Sequence, residues 1–190
     1  MSEYRILFIG ADSAFSDWVL SCVWEKIIAD NLVSTLFYDG SCSTQEEFLA
    51  SMKDKSNIPF IVFRKDDASI PMFLWLNGVE GRAMRAHFTL FRDSWGARRH
   101  ATDMAHHVIT WLLTRKDERG HLWDTIYGMT PMRNRLACRF ILRAGMRVVG
   151  VLPNAASIAN GSVDDILITY ATRTTFGLQD DSIVEGIWRA

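Results

Sequence analysis

Two hydrophobic rhythms, one near period two and one near 3.6, alternate along the 190-residue chain and outline its elements. Residues 3–9 carry Ile6, Leu7, Phe8 and Ile9 up to Gly10 and predict a short strand. Across 13–30, Phe15, Trp18, Val19, Cys22, Val23, Ile27 and Ile28 recur at three-to-four spacing. That spacing predicts an amphipathic helix, capped by Ser13 or Ser16 and closed by Asn31. A short apolar run over 32–38 ends in Asp39-Gly40, a turn signal. Ser43 then opens a second helix with the capping-box pattern Ser43-Thr44-Gln45-Glu46, with Phe48, Leu49 and Met52 on its buried side. Strands are predicted at 58–63, 72–76 and 84–91, joined by turns at Lys65-Asp66-Asp67 and Asn77-Gly78.

The strongest helical pattern spans 97–113, where Ala97, Ala101, Met104, Ala105, Val108, Trp111 and Leu112 share one face. A strand at 122–127 leads into a helix over 133–144, with Leu136, Ala137, Phe140, Ile141 and Ala144 turned inward. Gly145 follows as a left-handed stop. The last strands fall at 147–152 and 166–171, with 154–165 as the loop between them and a weakly patterned tail from Thr174. The order β-α-α-β-β-β-α-β-α-β-β predicts a single domain of mixed α/β (α+β) layer architecture.

Composition narrows the class. A hydrophobic share of 48% with 23% charged residues excludes disordered and collagen-like chains. No apolar run approaches the ~20 residues that span a bilayer. The polar start runs straight into four apolar residues, too few for a signal-peptide core, so an unexported, cytoplasmic protein without a membrane partner is expected. Cys22, Cys42 and Cys138 are odd in number and widely spaced, which points to a reducing compartment and to no disulfide framework. His100, His106 and His107 lack the spacing of a zinc-binding helix, so no metal is expected.

Charge adds a direction. Residues 82–147 hold 13 Lys and Arg against 5 Asp and Glu, whereas the remainder holds 8 against 17. One contiguous third is therefore suited to an anionic ligand, either a phosphorylated cofactor or nucleic acid. The net charge of −1 favours the cofactor.

Two segments give this a family setting. Residues 130–146, Thr-Pro-Met-Arg-Asn-Arg-Leu-Ala-Cys-Arg-Phe-Ile-Leu-Arg-Ala-Gly-Met, place Asn134, Ala137 and Gly145 in register. Residues 91–99, Phe-Arg-Asp-Ser-Trp-Gly-Ala-Arg-Arg, join a strand to the strongest helix. With the element order, these segments resemble the GCN5-related N-acetyltransferase (GNAT) superfamily over roughly residues 82–171, and bacteriophage GNAT-like proteins in particular. The resemblance implies the GNAT-like acyl-CoA N-acyltransferase fold, a central mixed sheet with helices on both faces. It divides the chain into an acceptor-side half (1–81), an acyl-CoA-binding half (82–173) and a C-terminal tail (174–190).

The cofactor implied is acetyl-CoA (coenzyme A), held where the fourth and fifth strands splay apart. Phe91 and its neighbours would line that cleft, and Asn134 and Ala137 would meet the pantetheine arm. Trp95, Gly96, Ala97, Arg98 and Arg99 would hold the pyrophosphate at a helix N-terminus. Two positions depart from the family pattern: Asp93 stands where Arg or Gln is usual, and Arg98 where a small residue closes the motif.

Transfer to an amine needs a base and an acid. Many members place a Tyr seven residues after the Asn, and here that position is Ile141. Tyr127 is the substitute acid, and His87, Glu80 and Asp124 are the candidate bases. His87 comes first, because a free imidazole titrates near neutrality. The activity implied is acetyl transfer from acetyl-CoA to a small-molecule or protein amine. Two alternatives stay open: a catalytically degenerate, virion-associated binding protein, and a relative that modifies nucleic-acid bases. The tail residues Ile187 and Trp188 are candidates for pairing two copies as a homodimer.

Overall fold

The computed structural model describes residues 3–10, 14–94 and 98–178. Seven strands form one sheet: β1 (Tyr4–Phe8), β2 (Ile58–Arg64), β3 (Met72–Glu80), β4 (Ala83–Leu90), β5 (Thr125–Pro131), β6 (Arg147–Ser157) and β7 (Val163–Thr172). Their spatial order is β1-β2-β3-β4-β5-β7-β6. Neighbours are antiparallel except β4 and β5, which run parallel. The helices are α1 (Ala14–Ala29), the single turn α2 (Val33–Leu36), α3 (Gln45–Lys53), α4 (Arg98–Leu113) and α5 (Arg135–Arg143). None of the described helices is long and apolar enough to cross a membrane.

Helices cover both faces of the sheet, as expected. On one face Val19, Leu20, Val23, Trp24 and Ile27 of α1 and Phe48 and Met52 of α3 pack on Ile61, Phe73 and Trp75. On the other, Met104, Ala105, Val108 and Leu112 of α4 and Ile141 of α5 meet Phe60, Val62, Met72, Leu74 and Leu76. The central strands β2 and β3 are thus buried on both sides, which explains their nearly unbroken apolar runs. Phe48 is fully buried, with ring centroids of Trp24 at 5.4 Å, Phe37 at 6.1 Å and Phe73 at 5.7 Å.

Several elements differ from the sequence expectation, each for a local reason. The cap of α3 lies one residue later than predicted. Thr44 Oγ1 accepts from Glu47 N, and Glu47 accepts in return from Thr44 N. The apolar run over 32–38 becomes α2. On α1, Phe15, Trp18 and Ile28 are exposed, while Ser16, Leu20 and Trp24 are buried, because the helix seats a stripe offset from the one the hydrophobic spacing favours. On α5, Leu136 is exposed rather than inward.

The Asn77-Gly78 pair is not a turn. It lies in a bulge of a longer β3, with Gly78 at φ +60°, and the chain reverses at Gly81-Arg82. Strand β5 starts three residues late and runs through Gly128 to Pro131. The predicted loop over 154–165 is mostly strand. Asn154, at φ +53°, makes a bulge and donates its N–H to Asp165, so β6 and β7 continue to a tight tip at 158–162.

At one end of the sheet, Arg82 before β4 ion-pairs with Asp124 before β5, and Asp124 also binds Arg173 after β7. Asp124 N donates to the Arg82 carbonyl at 2.9 Å, and Arg173 Nη1 donates to the Trp123 carbonyl at 2.9 Å. This triad clasps three strands where β4 and β5 begin to pair.

Candidate active site

From that clasp, β4 and β5 pair only at Ala83–Thr125, Met84–Ile126 and Arg85–Tyr127. Beyond them each strand keeps its outer neighbour, β3 or β7, and among the described residues the two no longer bond each other. The facing strand edges of the divergent stretch offer peptide groups of the kind an extended amide-bearing ligand could pair with. The opening leads into a cleft of about 690 Å³ that reaches both faces of the sheet. That volume is within the usual range for a cofactor or small-ligand site.

On the α4/α5 face the cleft is lined by Phe88, Ala105, Val108, Gly128, Ala137 and Phe140, with Arg139 and Arg143 on α5. A Cβ on Gly128 would lie 3.2 Å from Thr169 Oγ1, so the strand is slim there where a ligand approaches. Asn134 also lines the cleft. Its side chain caps α5 by accepting from Ala137 N at 3.1 Å, which commits the oxygen and leaves the amide NH2 for a ligand carbonyl. Small residues, an apolar trough and two guanidinium groups fit the pantetheine arm and phosphates of coenzyme A.

On the opposite face the lining comes from Leu36, Tyr38, Trp75, His87, Tyr127 and Met129. Cross-strand partners settle the orientation left open by the sequence: His87 pairs with Trp75, and Tyr127 with Arg85, so His87 and Tyr127 share this face. The His87 ring stacks on Trp75 with centroids 4.6 Å apart and planes 4° apart. Its Nε2 lies 3.0 Å from Asn77 Oδ1, which also accepts from Arg85 Nε at 2.9 Å. Burial, followed by the Arg85 charge, pushes the His87 pKa down to about 4, partly opposed by Asp39. The imidazole is therefore neutral at physiological pH, and the near-neutral titration expected from sequence does not hold. Burial also raises the Tyr38 hydroxyl, and Tyr127 Oη donates to the Gly78 carbonyl at 3.3 Å. No carboxylate is found among the described residues that line the cleft.

The other sequence candidates fall elsewhere. Glu80 is exposed near the β3–β4 turn, outside the lining. Asp124 belongs to the arginine clasp, and the Arg82 hydrogen bond holds its carboxyl below the usual range. Phe91 is fully buried in the α1/α3 core under Lys26, whose Nζ sits 5.1 Å from the ring centroid. Asp93, at the unusual motif position, ion-pairs with Lys26 at 2.8 Å. Trp95, Gly96 and Ala97 lie outside the described residues, as do the side chains of Arg98 and Arg99, which open α4. Ile141 is buried against the cleft and presents no proton donor.

Cys42 and Cys138 lie outside the cleft lining and are not activated as nucleophiles. Burial raises Cys138, whose Sγ donates to the Pro131 carbonyl at 3.7 Å, and pushes Cys42 up to about 11. Sequence reasoning missed Tyr38, Trp75, Asn77 and Arg85. Trp75 and Arg85 lie in predicted strands, which was the only signal either carried.

No protein-family model and no curated protein matches the chain. Solved structures do. Spermidine N-acetyltransferase from Vibrio cholerae, in complex with CoA and spermine, superposes with a TM-score of 0.70 at 14% identity, covering 93% of this chain and 99% of that one. A probable GNAT-family acetyltransferase from Chromobacterium violaceum gives 0.73 at 12% identity, over 93% and 86%. The Salmonella typhimurium acetyltransferase that modifies the N-terminal serine of ribosomal protein L7/L12 gives 0.69 at 12%, over 90% and 96%. The chain has the GNAT acyl-CoA N-acyltransferase fold.

Proposed function

We propose that the protein transfers an acetyl group from acetyl-CoA to an amine. The observation that carries this reading is the two-sided cleft at the β4–β5 splay, with an amide-binding strand edge and arginines on one side and a buried neutral imidazole on the other. Bound acetyl-CoA would supply an activated thioester carbonyl. The strand edges and Asn134 would hold its amides, and Arg139 and Arg143 its phosphates.

The acceptor nitrogen reaches this carbonyl from the His87 side. A base of pKa about 4 does not deprotonate an ordinary ammonium ion, so the amine enters as its free base. Once the nitrogen lone pair is engaged its N–H becomes far more acidic, and His87 accepts that proton. Tyr127 holds a hydroxyl proton on the same face and is the acid for the departing sulfur, a role Ile141 cannot take. The fold relatives act on a polyamine or a protein N-terminus, so both small-molecule and protein amines are candidate acceptors.

Calorimetric titration with acetyl-CoA tests the binding half. Binding should weaken about tenfold when Arg139 and Arg143 are both replaced by Ala. Thiol release with a panel of amines tests transfer, and His87→Gln should lower kcat about a hundredfold with little change in the KM for acetyl-CoA. An absence of acetyl-CoA binding would sink the reading. Binding without turnover of any amine would favour a second one, a cofactor-binding module without catalysis, for which the buried Ile141 speaks.

A further inference from the structure

We infer that Asn77 is a positioning residue that fixes the proton on His87 Nε2, leaving the Nδ1 lone pair as the proton acceptor in the proposed transfer. The inference rests on the transferase reading only for what the lone pair does. The tautomer itself follows from a chain of hydrogen bonds that can be read outward from a backbone carbonyl.

Asn57 Nδ2 donates to the Ser51 carbonyl at 2.8 Å, and a carbonyl can only accept. The orientation of the Asn57 amide is thereby set, with Oδ1 turned to β3. That oxygen accepts from Asn77 Nδ2 at 3.1 Å, which turns Asn77 Oδ1 towards β4. Asn77 Oδ1 accepts from Arg85 Nε at 2.9 Å and lies 3.0 Å from His87 Nε2. A flipped Asn77 amide would set its NH2 against the Arg85 N–H and against Asn57 in the wrong sense, so the assignment has one consistent solution. Oδ1 has no proton to give, and Nε2 is therefore the donor.

A neutral imidazole carries one N–H, so Nδ1 is bare. No described residue hydrogen-bonds Nδ1, and the stack on Trp75 fixes the ring plane. The β3 bulge beginning at Asn77 supports this arrangement, because it breaks the regular ladder at the residue whose amide must reach both β4 and Asn57. The charged groups around the ring are Arg85 on β4 and Asp39 between α2 and α3, with the Tyr38 and Tyr127 hydroxyls nearby. In the proposed reaction the proton leaving the acceptor nitrogen moves to Nδ1 while the N–H electron pair remains on nitrogen.

The decisive measurement is a long-range proton–nitrogen correlation spectrum of the full-length protein labelled with 15N-histidine, with no substrate added. His87→Gln identifies the resonances. We expect a pyrrole-type shift at Nε2 and a pyridine-type shift at Nδ1 near neutral pH. The reverse pattern overturns the inference, and if acetyl transfer were nonetheless observed the transferase reading would survive it.

Two variants extend the test. Asn77→Ala should lower kcat about tenfold or more while leaving the KM for acetyl-CoA unchanged. Asn77→Asp, which keeps an acceptor at Nε2 and adds a negative charge, should restore much of kcat and move the His87 acid limb upward in pH. If Asn77→Ala changes thermal stability alone, with tautomer and kcat as in the parent, Asn77 is structural and the inference fails.

Discussion

His87 is the residue whose environment most alters its chemistry. Its folded pKa of about 4 lies below the ordinary 6.5, so between those values the unfolded chain binds more protons than the native one. Stability from this group is fully present above pH 6.5 and is lost as the pH falls towards 4, by on the order of 3 kcal/mol. Urea denaturation at pH 7 and pH 4 should show that loss in the parent and a smaller one in His87→Phe, and equal losses would refute the assignment. The sequence supplied His87 as a candidate for its imidazole and Tyr127 as a stand-in for the missing acid at Ile141, but left open which face of the sheet either occupies. It could not supply the pKa, since burial beside Trp75 and Arg85 depends on a register set by residues far apart in the chain. Asn77 was hidden for the opposite reason. Beside a glycine it reads as a turn residue, and only the bulge gives it another task.

At the scale of elements, the periodic signals located α1, α3, α4 and α5 and the strands β1 to β4 to within a few residues. They failed where irregular geometry lets a strand continue through residues that usually end one. Gly128 and Pro131 lie inside β5, and Pro153 and Asn154 lie inside β6, where a bulge absorbs the left-handed residue. The resemblance between residues 130–146 and the GNAT helix segment carried further than periodicity, because it placed Asn134 and Ala137 beside the cleft they line. The packing of α3 is open to a direct check. Phe48 is held by three aromatic rings with no exposed surface, so Phe48→Ala should destabilise the protein by about 3–5 kcal/mol. A shift in the urea midpoint worth less than about 1 kcal/mol would mean that α3 repacks easily and does little to support β3.

For the whole molecule, the Arg82–Asp124–Arg173 clasp stands at the closed end of the opening between β4 and β5. Asp124→Asn would remove the negative charge that Arg82 and the buried Arg173 share, and should destabilise the protein by about 2 kcal/mol. Because the clasp sits where β4 and β5 begin to pair and lies outside the lining, the same variant should raise the KM for acetyl-CoA more than it lowers kcat. Steady-state kinetics would refute that division if kcat alone fell. The clasp also ages the protein in acid: Asp124 is held ionised by Arg82, so its contribution is present above the ordinary carboxylate range and disappears as the pH drops below it. Among the described residues, the cleft lining carries no acidic side chain. An ammonium ion arriving there would exchange its hydration for aromatic rings and arginines, with Asp39 the one carboxylate whose charge reaches the His87 ring among the described residues. The protein would then behave as a filter for protonation state, discriminating among amines by basicity before it discriminates by shape. Rates expressed against the concentration of unprotonated amine instead of total amine should be independent of pH for each acceptor. A weakly basic aromatic amine would then outperform a polyamine of equal reach at neutral pH.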